Sequence, residues 1–155
     1  MRLALYQPDI PQNTATILRL GACLGVPVDV IEPCGFLFSD RRFKRAGLDY
    51  LQHAELVRHR SWNAFLEVRR AGRLILLSTA GRDRYTALRF EAEDTLLVGR
   101  ESDGVPEGVA RAADRTVRIP MRTGLRSLNI AIAAAMVLGE ALRQTDAWPG
   151  EIHDG

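Results

Sequence analysis

Three stretches rich in turn-forming residues set groups that could do chemistry among them: "LSTAG" (77–81), "VGRESDGVP" (98–106) and "IPMRTGLRSLN" (119–129). Each overlaps or follows a short apolar run and mixes small residues with hydroxyl, carboxylate or guanidinium groups. Glu101 and Asp103, set between glycines, can hold hydroxyl or amine groups, and can equally solvate a turn. Arg122 and Arg126 stand in the third stretch with Ser127, a helix-capping residue type, yet a cap requires neither arginine. "LSTAG" by itself is also an ordinary strand end. A fourth stretch, "RRFKR" (41–45), sets Arg41, Arg42, Lys44 and Arg45 around Phe43. It is either a solvated helix face or a phosphate-tracking patch, with Arg58 and Arg60 near in sequence and Phe43 as a stacking surface.

Other chemistries lose support. No glycine trio follows the first apolar run and no lysine follows the glycines of "GRESDG", which weakens hydride transfer and nucleotide hydrolysis. His53, His59 and His153 are not at metal-ligand spacing, so no metal site is expected, and no serine sits in a nucleophile elbow. The formal charge of +2 over 155 residues does not by itself announce a nucleic-acid binder. Cys23 and Cys34 lack ligand spacing, and charge and turn residues interrupt the N-terminal apolar stretch by Asp9, so a reduced, cytoplasmic protein is expected. The longest apolar run, 130–139, is about half of the roughly 20 residues a bilayer crossing needs, which implies a core helix and no membrane partner.

These loops need elements to hold them. The runs at 3–6, 28–31, 55–59, 74–78, 95–99 and 116–120 read as strands. Helical patterns lie between several of them: one begins with Asn13 as cap, has Ile17, Leu20 and Leu24 on one face and stops at Gly25. A second is capped by Ser61, turns Phe65 and either Leu66 or Val68 inward and stops at Gly72; a short third has Pro106 in its first turn; Ser127 caps the C-terminal one. With 46% hydrophobic residues the chain could bury roughly 70% of its unfolded surface as one domain. The alternation predicts an α/β fold: a mainly parallel six-stranded sheet with helices on both faces. Ligands of such sheets gather outside the carboxyl ends of the strands, so the three loops side by side would form one pocket.

Three blocks together resemble the motifs of the SPOUT methyltransferases of the SpoU branch: "YQPDIPQNTATILRLGACLG" (6–25), "LLVGRESDGVP" (96–106) and "IPMRTGLRSLNIAIAAAMVLGEALRQ" (119–144). "IEPCGF" (31–36) and "KRAGLDY" (44–50) bring the chain nearest to the small bacterial members that modify the wobble nucleotide of tRNA. The resemblance covers nearly the whole chain as a single domain, 1–155. It implies a C-terminal trefoil knot, an exception to the rule against threading, seated by the small side chains Ala131, Ala133, Ala134 and Ala135.

The resemblance also implies methyl transfer from S-adenosylmethionine to the ribose 2′-hydroxyl of nucleotide 34, a cytidine or modified uridine, with leucine tRNAs as expected carriers. On that reading Leu77, Thr79, Gly99, Ile119, Met121, Leu125, Ser127 and Leu128 bind the cofactor, and Glu101 has a structural or substrate-orienting role at the reaction centre. Arg19 orients the hydroxyl and stabilises the developing alkoxide, because guanidinium stays protonated and is a poor base. Arg41, Arg42, Lys44, Arg45, Arg122 and Arg126 are the RNA-binding candidates, and the first and last helices form a homodimer interface. This chain has Gly139 where close relatives carry tyrosine, and Ala131 and Ile132 in place of a polar pair. The rival readings are a branch member acting on ribosomal RNA or another tRNA position, and a noncatalytic RNA-binding knot protein.

Overall fold

The computed structural model describes residues 1–150; His153 and the rest of the tail from 151 lie outside the described residues. All six apolar runs form strands: β1 (Arg2–Tyr6), β2 (Val28–Ile31), β3 (Leu56–His59), β4 (Leu74–Leu77), β6 (Thr95–Val98) and β7 (Arg115–Arg118). A seventh, β5 (Asp83–Arg84), pairs with β7 through two residues, so the sheet has seven strands rather than six. No apolar run marks it, because an edge pairing this short buries little. The order is β3-β2-β1-β6-β4-β7-β5 and every pairing is parallel. β2, β4 and β6 are buried at every position, as strands covered on both faces should be.

Five helices cover the sheet: α1 (Pro11–Leu24), α2 (Arg41–Gly47), α3 (Trp62–Val68), α4 (Glu107–Ala112) and α5 (Ile130–Thr145). One core joins Leu3, Leu5 and Val98 of the sheet to Ile17 and Leu18 of α1, Phe43 of α2 and Leu138 of α5. The other packs Phe65 of α3 and Val109 of α4 against Ala4, Tyr6, Leu76 and Leu97. The alternation of faces along β1 (Leu3 and Leu5 one way, Ala4 and Tyr6 the other) is what feeds two cores from one strand. Among the described residues no helix is long and apolar enough to cross a membrane.

Several local expectations are corrected. α1 begins at Pro11, whose fixed φ and missing N–H suit a first helical position; Asn13 therefore lies inside the helix and does not cap it. α5 is capped by Asn129, whose Oδ1 accepts from the backbone N–H groups of Ala131 (2.9 Å) and Ile132 (3.4 Å), not by Ser127. In α3 only Phe65 turns inward, Leu66 and Val68 being exposed, and the helix ends at Val68, before Gly72. Phe43 is buried beside Phe36 and Phe38 and offers no stacking surface. The caps at Gly25 (φ +64°) and Ser61, which accepts from the N–H of Ala64, form as expected.

At the far side of the sheet, buried Asp29 accepts from Arg2 Nε and meets His59 Nε2, each at 2.8 Å, which ties β1, β2 and β3 together. Removing Asp29 would leave His59 without this partner and Arg2 with only its longer contact to Glu55 (3.8 Å), a loss on the order of 3–5 kcal/mol for a broken buried pair.

Candidate active site

Because all strands run parallel, the segments leaving β4, β6 and β7 emerge at the same edge of the sheet, beside the turn that leaves β1. β1 pairs with β2 on one side and β6 on the other, so strand order reverses there, and crevices at such points are where α/β sheets bind ligands. A cavity of about 860 Å³ opens at this place, within the range of about 300–1,000 Å³ typical of small-molecule sites.

Seven of the eight cofactor candidates line it: Leu77 and Thr79 after β4, Gly99 after β6, and Ile119, Met121, Ser127 and Leu128 after β7. Leu125 does not; it is 67% exposed. Glu101 and Arg126 are also on the wall, whereas Arg122 is exposed and off it. The wall is apolar at Leu77, Ile119 and Leu128 and polar along the loop from Gly99 to Gly104, a division that suits a ligand with a flat apolar part and a charged part. Gly99 is required by close approach: a Cβ there would lie 2.6 Å from the carbonyl carbon of Gly104. Arg100 and Gly104 close the same loop by exchanging backbone hydrogen bonds of 2.8 and 3.0 Å, with Gly104 at φ +67°.

A hydrogen-bonded chain ties the three motif segments together. The N–H of Asp9 donates to Glu101 Oε2 (3.0 Å), and the N–H of Glu101 donates back to Asp9 Oδ1 (3.2 Å). Ser102 Oγ donates to the other Asp9 oxygen (2.5 Å). Asn13 Nδ2 donates to Glu101 Oε1 (3.4 Å) and its own oxygen accepts from Asn129 Nδ2 (3.0 Å), so the chain ends on the cap of α5. Hydrogen bonding with Glu101, then with Ser102, holds the Asp9 carboxyl down at about 2. Half-burial, then the Asp9 neighbour, pushes Glu101 up from the ordinary glutamate value.

Arg19 is exposed on α1 and stacks on Tyr50, its guanidinium carbon 4.3 Å from the ring centroid. It lies six residues beyond Asn13, roughly 9 Å along the helix axis, and is not on the cavity wall. Arg41, Arg42, Lys44 and Arg45 are all exposed on α2, with Arg42 paired to Asp40 at 3.0 Å. Asp9, Asn129 and Arg100 belong to the site and were not singled out. Asp9 meets its partner across 92 positions, a contact no local pattern encodes.

Comparison with known proteins gives a consistent result. The SpoU rRNA Methylase family profile matches residues 1–139. A tRNA (cytidine(34)-2′-O)-methyltransferase of Beijerinckia indica is 58% identical over 147 residues, covering 94% of this chain and 92% of the relative. The enzyme of the same name from Escherichia coli K12 is 39% identical over 154 residues, covering 98% of each chain. A solved structure described as "Structural insights into the 2-OH methylation of C/U34 on tRNA" superposes with a TM-score of 0.88 at 45% identity, covering 92% of this chain and 94% of the other. The methyltransferase AviRb of Streptomyces viridochromogenes in complex with AdoMet superposes with a TM-score of 0.84 at 28% identity, covering 93% of this chain and 60% of that one. The matching motif segments, the sheet that positions them and these relatives lead to one assignment: the chain belongs to the SpoU methylase family.

Proposed function

We propose that this protein transfers a methyl group from S-adenosylmethionine to the ribose 2′-hydroxyl of nucleotide 34 in a tRNA anticodon loop, working as a homodimer. The observation that carries the reading is the cavity at the β1/β6 reversal, walled by all three motif loops and joined through Glu101, in a chain whose relatives carry that activity in their names. When bound, the cofactor supplies an activated methyl group on a sulfonium centre. The residues fit it: the apolar wall takes the flat base, and the narrow Gly99–Gly104 loop lets backbone approach the ligand.

The protein's own work is chiefly positioning. Glu101, fixed by Asp9 and Asn13, holds the loop beside the donor. Arg19, outside the donor cavity, meets the ribose and stabilises negative charge growing on its oxygen, which a permanently protonated guanidinium does well. The exposed cations of α2, with Arg122 and Arg126, follow the RNA backbone, while unpaired anticodon bases can be splayed toward the site.

Two further features belong to the proposal. α5 presents Ile132 and Met136 to solvent, 56% and 39% exposed and one turn apart, with exposed Leu128 just before the helix; this apolar stripe suits burial against a second copy. A trefoil knot in the segment after β7 is part of the proposal as what the family resemblance implies; the Gln144 side chain fastens α5 to the segment before β6 by donating to Leu88 O and accepting from the Phe90 N–H.

The test is transfer of labelled methyl groups from S-adenosylmethionine to a tRNA and to the same tRNA with a 2′-deoxyribose at position 34. Label on the first and not on the second is expected; equal labelling would move the acceptor elsewhere. Arg19→Ala should leave cofactor affinity by calorimetry within about two-fold and abolish turnover; equal loss of both would place Arg19 in the donor site.

A further inference from the structure

Arg19 is held in a way that sets it apart from another stacked cation of the chain. Its guanidinium carbon lies 4.3 Å from the centroid of the Tyr50 ring, and among the described residues it forms no ion pair and no guanidinium hydrogen bond. Arg58 sits over Phe38 at a similar 4.2 Å, but its Nη2 also donates to Glu32 Oε1 at 2.5 Å, so part of its fork is spent inside the protein. Arg2, Arg42 and Arg73 are likewise committed to carboxylates. An aromatic face restrains a guanidinium through the ring quadrupole and leaves its N–H groups open to oxygen, whereas a carboxylate takes those groups and cancels the charge. Arg19 is thus restrained with its donors unspent.

The ring that restrains it is itself fixed. Tyr50 belongs to the 3₁₀ turn Leu48–Gln52, and its carbonyl accepts from the N–H groups of both His53 (3.0 Å) and Ala54 (3.1 Å). The next residue, Leu51, packs against the core, and the turn lies along α1, the helix that carries Arg19. A half-buried tyrosine on a pinned backbone loses little freedom in offering its face, whereas an exposed arginine with no restraint samples many rotamers. The turn follows α2 directly, so the stacked pair adjoins the cations assigned to the RNA backbone. Tyr50 is not on the cavity wall, so an effect on transfer must run through what it touches. We infer that Tyr50 is a positioning residue: the face of its ring holds the Arg19 guanidinium in place with its N–H donors free for the oxygens of the acceptor ribose. This rests on the reading that Arg19 meets that ribose in methyl transfer.

The experiment is steady-state methyl transfer to tRNA by the wild type, Tyr50→Leu, Tyr50→Phe and Arg19→Ala, with S-adenosylmethionine calorimetry on each to count the binding-competent protein. Tyr50→Leu keeps apolar bulk and removes the ring. Its kcat per binding site should fall about ten-fold or more, while tRNA KM and S-adenosylmethionine affinity stay within about two-fold, since a misplaced group costs rate before it costs binding. Tyr50→Phe restores the face and should return kcat to within about two-fold of the wild type. Wild-type kcat in Tyr50→Leu overturns the inference and leaves the functional reading intact. So does a matching loss in Tyr50→Phe, which would place the effect in the hydroxyl, or a change confined to tRNA KM, which would make the ring a stacking surface for a base. Loss of binding-competent protein in Tyr50→Leu, in place of a loss of kcat per site, marks a purely structural residue and overturns it as well. Full turnover by Arg19→Ala removes the role of Arg19, and a wild type that transfers no methyl group to tRNA removes the functional reading; this inference falls with either.

Discussion

Asp9 and Glu101 hold one another by two backbone-to-carboxylate bonds across 92 positions, and Glu101 lies on the cavity wall. The titration of the pair gives a signed prediction. Asp9 is depressed to about 2, so what it adds to stability is present above the ordinary aspartate range and lost as pH falls through about 2. Glu101 is raised, by burial first and by Asp9 second, so its stabilising contribution is complete below the ordinary glutamate value and lost as pH rises through the raised one. Asp9→Asn removes the Asp9 part of that push, and Glu101 then ionises at lower pH. If transfer needs ionised Glu101, the acid limb of kcat against pH shifts downward in Asp9→Asn, with kcat at neutral pH reduced about ten-fold or more by the loosened loop; a limb that stays in place would make Asp9 a structural tie only. At this scale the sequence was informative about residue types and less so about partners. Glu101 stood out through its glycine-flanked loop, whereas Asp9 could not, and Asn129 and Ser127 are both good capping residues that only the path of the chain distinguishes.

The elements were legible where their burial is complete. The runs that form β1, β2, β4 and β6 carry almost uninterrupted apolar residues because both faces of the sheet are covered. β5 was hidden because a two-residue edge strand leaves no apolar pattern, and Phe43 misled because an aromatic residue inside a basic run reads as a platform until its neighbours Phe36 and Phe38 are known. On the proposed reading the loop from Gly99 to Gly104, which lines the cavity, helps to hold the donor. Gly99→Ala puts a methyl group 2.6 Å from one backbone atom of Gly104 and 2.8 Å from two more, and backbone cannot yield as a flexible side chain can. The expected result is a loss of about 1–3 kcal/mol in denaturant unfolding, with S-adenosylmethionine affinity down at least about ten-fold by calorimetry. Affinity equal to the wild type would mean that the loop takes no part in holding the donor.

For the whole molecule, the proposed homodimer would bury the exposed apolar stripe of α5 against a second copy. Ile132 is exposed in the single chain, so Ile132→Glu should leave the fold and its melting temperature nearly unchanged while converting a dimer to a monomer in light scattering. A variant that stays dimeric would place the interface on another face. The fold class was readable from alternating patterns, but which residues of distant segments meet around the cavity was not, because that depends on the order β3-β2-β1-β6-β4-β7-β5 and no short-range signal encodes strand order. The proposed reaction acts on one ribose. The most direct measurement is mass-spectrometric mapping of 2′-O-methyl groups in tRNA from cells with and without the gene. The methyl group at nucleotide 34 should disappear from the tRNAs that carry it and return with the wild-type gene but not with Arg19→Ala; an unchanged nucleotide 34, with a methyl group lost from another position or from ribosomal RNA, would overturn the proposed function.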